Sequence, residues 1–204
     1  MFHNNIIKFE PLLDNLNTSC RIIIKDKLMG SGFFCKININ HNINNKEIVM
    51  LFTNNHVLKT EDLKLGSEFE IEYINKEKYN KTQLIKKEKT IIKINEKRLV
   101  FANASYDYCC VEIYEDDILK IVNYLEIDDN ININNPFQEY INQNCLIIQY
   151  PNGIFGFAKG PIIDINKRNQ IFYKISTEYS SSDSPIILSK ILKLLEFIVA
   201  EQRI

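Results

Sequence analysis

Apolar and polar positions along the chain fall into short blocks, with few long stripes of helical spacing. Runs rich in Ile, Val, Phe and Tyr recur at residues 21–25, 30–39, 47–53, 68–73, 90–94, 108–113, 145–150, 158–165, 170–176 and 185–188. Clusters of Asn, Asp, Lys and Gly separate them. These are strand lengths made of strand-favouring residues. Many short strands at near-regular spacing predict an all-β sandwich or barrel rather than a βαβ fold. The Asn-rich stretch 38–45 reads as a hairpin turn. Residues 116–140 are more polar, carry an Ile-Asn run at 130–135, and read as a linker between two β halves. The chain therefore divides into 1–115, the linker 116–140, and 141–204.

The tail breaks the pattern. Ile191, Leu194, Leu195 and Ile198 fit helical spacing, and Ser189 is suited to cap the N-terminus. No Gly, Pro, Asn or Asp interrupts residues 189–203. A C-terminal helix is expected, with a strand through 195–200 as the alternative.

Composition narrows the function classes. Apolar residues make up 45% and charged residues 25% of the 204 positions, enough to bury a core. Lys and Arg number 25 against 26 Asp and Glu, a net charge of −1. Bulk nucleic-acid binding needs a basic excess to neutralise phosphates, and a polybasic membrane anchor needs the same, so neither is expected. No apolar run approaches the ~20 residues that span a bilayer. The start, Met1-Phe2-His3-Asn4-Asn5, lacks the basic region and apolar core of a secretory signal. A cytoplasmic protein is expected. The five cysteines, Cys20, Cys35, Cys109, Cys110 and Cys145, are odd in number and show no C-x-x-C spacing. Cys109 and Cys110, adjacent on a strand, point to opposite faces and are poorly arranged to chelate one metal. They read as reduced, buried hydrophobes, and no metal site is implied. Sequons at Asn17, Asn80 and Asn103 are expected by chance in an Asn-rich chain.

Three segments hold candidate chemistry. His56 ends the apolar run Leu51-Phe52-Thr53 after two Asn residues that favour a turn. An imidazole held at a strand end can take and return a proton near neutrality. Asp107 opens the run Tyr108-Cys109-Cys110-Val111. A carboxylate there can accept a hydrogen bond from an imidazole and fix its tautomer. Ser180-Ser181-Ser182-Asp183-Ser184-Pro185 precedes another apolar run and could form a turn that exposes a nucleophilic hydroxyl. Taken singly, each admits an ordinary role: a turn histidine, an aspartate capping a loop, a flexible serine-rich loop. Together they stand in the order His, Asp, Ser.

With that order, the chain resembles the trypsin-like (chymotrypsin-fold) serine peptidases of the signal-less intracellular type, from Gly30 to about Leu188. Gly30-Ser31-Gly32-Phe33-Phe34 resembles the Gly-x-Gly-Phe strand before the histidine. Thr53-Asn54-Asn55-His56-Val57 resembles the Thr-x-x-His-Val block. Asp107-Tyr108-Cys109-Cys110-Val111 resembles the aspartate block. Ile147-Ile148-Gln149-Tyr150-Pro151-Asn152-Gly153, with Gly160 following, resembles the strand that begins the second barrel. Ser180-Ser181-Ser182-Asp183-Ser184-Pro185 resembles Gly-x-Ser-Gly-(Ser/Gly)-Pro. The resemblance implies two antiparallel β-barrels, the first carrying His56 as general base and Asp107 as its orienter, the second carrying Ser182 as nucleophile. It further implies an oxyanion hole from the backbone N–H groups of Ser180 and Ser182, and Ser176 at the base of the specificity pocket. The substrate would be a peptide or protein, and no cofactor is implied.

The chain departs from that pattern at three places. Ser180 and Asp183 stand where the family has glycine. Positive φ at Ser180 would cost about 1–3 kcal/mol, and loss of one oxyanion donor slows such reactions roughly 10²–10³-fold. The Asp183 charge would oppose a developing oxyanion. Only Asp183–Ile204 follow the nucleophile, so a C-terminally truncated member with an incomplete second barrel is expected. The alternative function is a catalytically impaired pseudopeptidase that binds peptides or proteins.

Overall fold

The fold is a computed structural model that describes residues 16–25, 27–41, 44–75, 87–119, 123–127, 140–150, 155–165, 171–175, 184–188 and 194–197. These form two sheets. The first contains β1 (Ser19–Ile24), β2 (Lys27–His41), β3 (Asn44–Thr53), β4 (Glu68–Ile74), β5 (Lys87–Lys93), β6 (Val100–Asn103), β7 (Tyr108–Ile113) and β8 (Leu125–Glu126). The second contains β9 (Asn144–Gln149), β10 (Gly156–Ile165), β11 (Ile171–Tyr173), β12 (Pro185–Leu188) and β13 (Leu194–Phe197).

The first sheet runs β5-β4-β1-β2-β3-β7-β6, every neighbour antiparallel. The long β2 serves two partners along one edge. β1 pairs with it up to Phe33, and β8 then takes Cys35 and Lys36 in a short parallel pairing. β3 lies along the other edge from Phe33 to His41. The second sheet runs β11-β10-β9-β12-β13, also antiparallel. Neither sheet closes into a complete ring among the described residues.

Side-chain alternation sets what each face does. On β4, Phe69, Ile71 and Tyr73 are buried, while Glu68, Glu70 and Glu72 meet Lys93, Lys89 and Lys87 of β5. The Glu68 and Glu70 pairs are open to solvent and contribute little stability, but the β5 lysines also charge a strand that is the edge of the sheet among the described residues. Strands buried on both faces read as continuous apolar runs. On β9, Cys145 and Ile147 pack with Tyr140, Ile162, Ile186 and Leu188 inside the second sheet. Leu146 and Ile148 point the other way, onto Phe33, Cys35, Ile74 and Leu125 of the first sheet and Ile187 of β12. This shared cluster joins the sheets. The first sheet also curls around its own core of Cys20, Ile22, Phe34, Leu51, Ile71 and Val111.

The expected C-terminal helix is corrected. Residues 194–197 form β13, with Pro185 opposite Phe197, Ile186 opposite Glu196 and Ile187 opposite Leu194. Leu-Leu-Glu-Phe suits a strand as well as a helix. The unpaired edge of β12 offers backbone partners to a strand and none to a helix, so tertiary context overrides the local period. The remainder of the tail, including Ser189, lies outside the described residues.

The Asn-rich stretch 38–45, expected as a hairpin turn, is where β2 gives way to its antiparallel partner β3, with His41 opposite Asn44. Asp117, in the expected linker, is tied back to the first sheet. Arg98 holds its two carboxylate oxygens at 2.7 and 3.1 Å, bonds the Glu112 carbonyl, and stacks 4.1 Å from the Tyr114 ring.

Candidate active site

Strand register brings His56 to Asp107. β3 and β7 are antiparallel, and their pairing ends with Thr53 opposite Cys109. Continuing past Thr53 on one strand and back from Cys109 on the other, the chain reaches His56 and Asp107 at the same end of the sheet. A one-residue slip would exchange the faces of every residue on the strand, and the buried Leu51 and Val111 oppose it.

Local bonds then shape the histidine turn. Thr53 Oγ1 donates to the Ser31 carbonyl at 2.8 Å, pinning the end of β3 to β2. The Asn54 carbonyl accepts the N–H groups of Val57 and Leu58, both at 3.1 Å. Val57 and Leu58 are buried and anchor the turn, which leaves the His56 ring 54% exposed. Asn55 Nδ2 donates to Thr60 Oγ1 at 3.2 Å and braces the chain beyond.

Asp107 grips the histidine twice. Its Oδ1 accepts the His56 backbone N–H at 2.8 Å, and its Oδ2 lies 2.7 Å from His56 Nδ1. An ionised carboxylate only accepts, so Nδ1 carries the ring proton. Nε2 is then the basic nitrogen, on an exposed ring. Asp107 itself has φ +51°, in the left-handed region that few residues other than Gly, Asn and Asp enter.

Ser176, Ser180, Ser182 and Asp183 lie outside the described residues. The chain re-enters at Ser184, fully buried, and continues into β12 between β9 and β13. The structure thus brings His56 and Asp107 together and gives no position for the candidate nucleophile, oxyanion hole or pocket residue.

Sequence reasoning missed Asn103, which it placed only in a sequon. Asn103 Oδ1 accepts the N–H groups of Ser105 and Tyr106 at 3.0 and 3.1 Å, inside the loop that leads to Asp107. An Asn at a strand end, four residues before the aspartate, was the available signal.

Cysteine is a poor candidate for the nucleophile. All five thiols are free and buried. Burial pushes the Cys110 and Cys145 thiols up to about 11. Burial and, to a lesser extent, the Glu126 charge push Cys35 up to about 12. The attacking species would be the thiolate, which these sites disfavour. No group of three or more His, Cys, Asp or Glu residues suited to hold a metal occurs among the described residues. No helix among them is long and apolar enough to cross a membrane.

By sequence, the chain matches no family model and no curated protein. Its likeness is to solved structures. It is similar to Deg5, with a TM-score of 0.58 and 12% identity over 93% of this chain and 82% of that one. It is similar to the inactive form of the Rv3671c protease, with a TM-score of 0.56 and 11% identity over 94% and 81%. A serine endoprotease from Yersinia pestis aligns with a TM-score of 0.54 and 16% identity over 90% of this chain, which spans 53% of that one. The human heparin binding protein aligns with a TM-score of 0.53 and 8% identity over 88% and 77%. The fold is that of the trypsin-like proteases.

Proposed function

We propose that this chain is a serine endopeptidase that cleaves peptide bonds by acyl transfer. The observation that carries the reading is the doubly held pair on this fold, with His56 Nδ1 2.7 Å from Asp107 Oδ2 and its backbone N–H on Oδ1. The proposal assigns His56 and Asp107 to the unit 1–115, residues 116–140 to a connection, and Ser182 to the unit 141–204.

In this reading, Ser182 Oγ attacks the scissile carbonyl while His56 Nε2 accepts its proton. Asp107 stabilises the resulting imidazolium and holds the ring orientation. The backbone N–H groups of Ser180 and Ser182 receive the oxyanion. His56 then returns the proton to the departing amine, leaving an acyl-Ser182. Water, deprotonated by His56, hydrolyses that ester and restores the site. Ser176 at the pocket base, small and neutral, disfavours selection of Lys or Arg by a buried charge. The five free thiols fit a reducing compartment, in keeping with a cytoplasmic protein.

The second reading is a pseudopeptidase that binds peptides or proteins. Ser180 and Asp183, in place of glycine, favour it. One structural neighbour, the heparin binding protein, is named for binding rather than proteolysis.

Hydrolysis of a fluorogenic peptide library separates the two. The peptidase reading predicts turnover by the wild type that falls at least about 10⁴-fold in Ser182→Ala. It predicts a loss of about 10⁴-fold in Asp107→Asn, where the ring loses its tautomer. A folded wild type that binds library peptides without cleaving them supports the pseudopeptidase.

A further inference from the structure

Asn103 ends β6 directly opposite Tyr108, the first residue of β7. Residues 104–107 are therefore a four-residue hairpin loop whose last member is Asp107. Loops of this length are most often built around a type I turn, and closing one can require a left-handed residue. Here that residue is Asp107, with φ +51°. Glycine would enter this region more freely, but glycine has no carboxylate.

Apart from the two Asp107–His56 bonds at its end, the described contacts hold the loop at few other points. Ala104, Ser105 and Tyr106 are exposed, Tyr106 by 66%, so packing does not fix their backbone. The backbone bond within the loop, from Asp107 N–H to the Ala104 carbonyl, is long at 3.4 Å. The two bonds from Ser105 and Tyr106 N–H to Asn103 Oδ1 are shorter, at 3.0 and 3.1 Å. Both approach one side-chain oxygen, anchored at the end of a paired strand. If the loop opened, Asp107 would relax toward the negative φ that most residues prefer. Its Cβ would swing away, and its two oxygens would no longer meet both His56 N–H groups.

We infer that Asn103 is a positioning residue of the site: its side-chain oxygen shapes the 104–107 loop so that a left-handed Asp107 holds the His56 ring. The inference rests on the peptidase reading for its consequence, but the positioning itself can be measured without turnover.

The test combines two readouts on Asn103→Ala and Asn103→Asp, the latter keeping an acceptor oxygen at the same place. The first is the ¹⁵N spectrum of histidine-labelled protein, with His56 assigned from its loss in His56→Gln. It reports which ring nitrogen carries the proton in the neutral form. The second is the rate of labelling by a fluorophosphonate. Wild-type His56 should be mainly the Nδ1–H tautomer. Asn103→Ala should move it toward Nε2–H and slow labelling between about ten- and a hundredfold, as displacement of a catalytic group does. Asn103→Asp should restore most of both, and Asn103→Ser, a shorter acceptor, should fall between. A wild-type tautomer in folded Asn103→Ala overturns the inference. So does an unfolded Asn103→Ala accompanied by a wild-type tautomer in Asn103→Ser. If the tautomer shifts as expected while wild-type protein never labels, the positioning role stands and the peptidase reading fails.

Discussion

The imidazole of His56 is fixed by one carboxylate at two points, the ring nitrogen and the residue's own amide. Double anchoring matters because the side chain is 54% exposed, so its surroundings cover only part of it. The cysteines show the opposite environment. Cys35, Cys110 and Cys145 sit in apolar surroundings that hold their thiols up to about 12, 11 and 11. An ordinary thiol near 8.5 is partly ionised at pH 8, so native-state alkylation should be slower by about two orders of magnitude at Cys110 and Cys145 and by about three at Cys35. The raised values also fix a sign. The folded chain keeps protons that the unfolded chain releases, so the contribution of these groups to stability is complete below about pH 8.5. It is lost as pH rises through 11 to 12. Timed iodoacetamide labelling with mass mapping checks the reactivity. Rapid native labelling of Cys110 and Cys145 at pH 8 would contradict the burial described.

At the scale of elements, close backbone approach accounts for one glycine in particular. A Cβ on Gly160 would lie 2.1 Å from the Lys174 carbonyl oxygen, where β10 meets the chain leaving β11. Backbone cannot yield as a side-chain tip can. Gly160→Ala should destabilise the protein by about 2 kcal/mol, within the range of forced overpacking, and chemical denaturation reads it as a lower midpoint. An unchanged midpoint would place β11 elsewhere. The sequence showed most strands because β-branched runs between polar clusters need nothing distant to be recognised. It did not show β6, whose Phe101 is half exposed and whose partner is the outer edge of β7. Nor did it show β8, two residues long and defined only by an edge that β1 vacates. In the tail the strand alternative ranks below the helix because the edge of β12 that β13 fills exists only in the assembled sheet. The site followed the same rule. His56 and Asp107 stand in recognisable local patterns, whereas the role of Asn103 depends on a loop length known only once β6 and β7 are paired.

For the whole molecule, the arrangement is one of two sheets with divided duties. His56 and Asp107 leave β3 and β7 of the first sheet. The candidate nucleophile precedes β12, which belongs to the second. Any chemistry that uses all three depends on the sheets being held together, and the cluster of Phe33, Cys35, Ile74, Leu125, Leu146, Ile148 and Ile187 does that. Tyr150 adds to the joint. It is buried, its ring lies edge-on to Phe155 at 5.4 Å, and its hydroxyl donates to the Ser19 carbonyl of β1 at 3.4 Å. The apolar surroundings push its phenol well above the usual tyrosine range. What the peptidase account requires beyond this scaffold is one serine made reactive by His56. Reaction with a biotinylated fluorophosphonate, followed by peptide mapping, measures that reactivity directly. A peptidase should give a single adduct on Ser182 that is absent in Ser182→Ala and strongly reduced in His56→Ala. A folded wild type that forms no adduct, or one that is labelled at another serine, would contradict it.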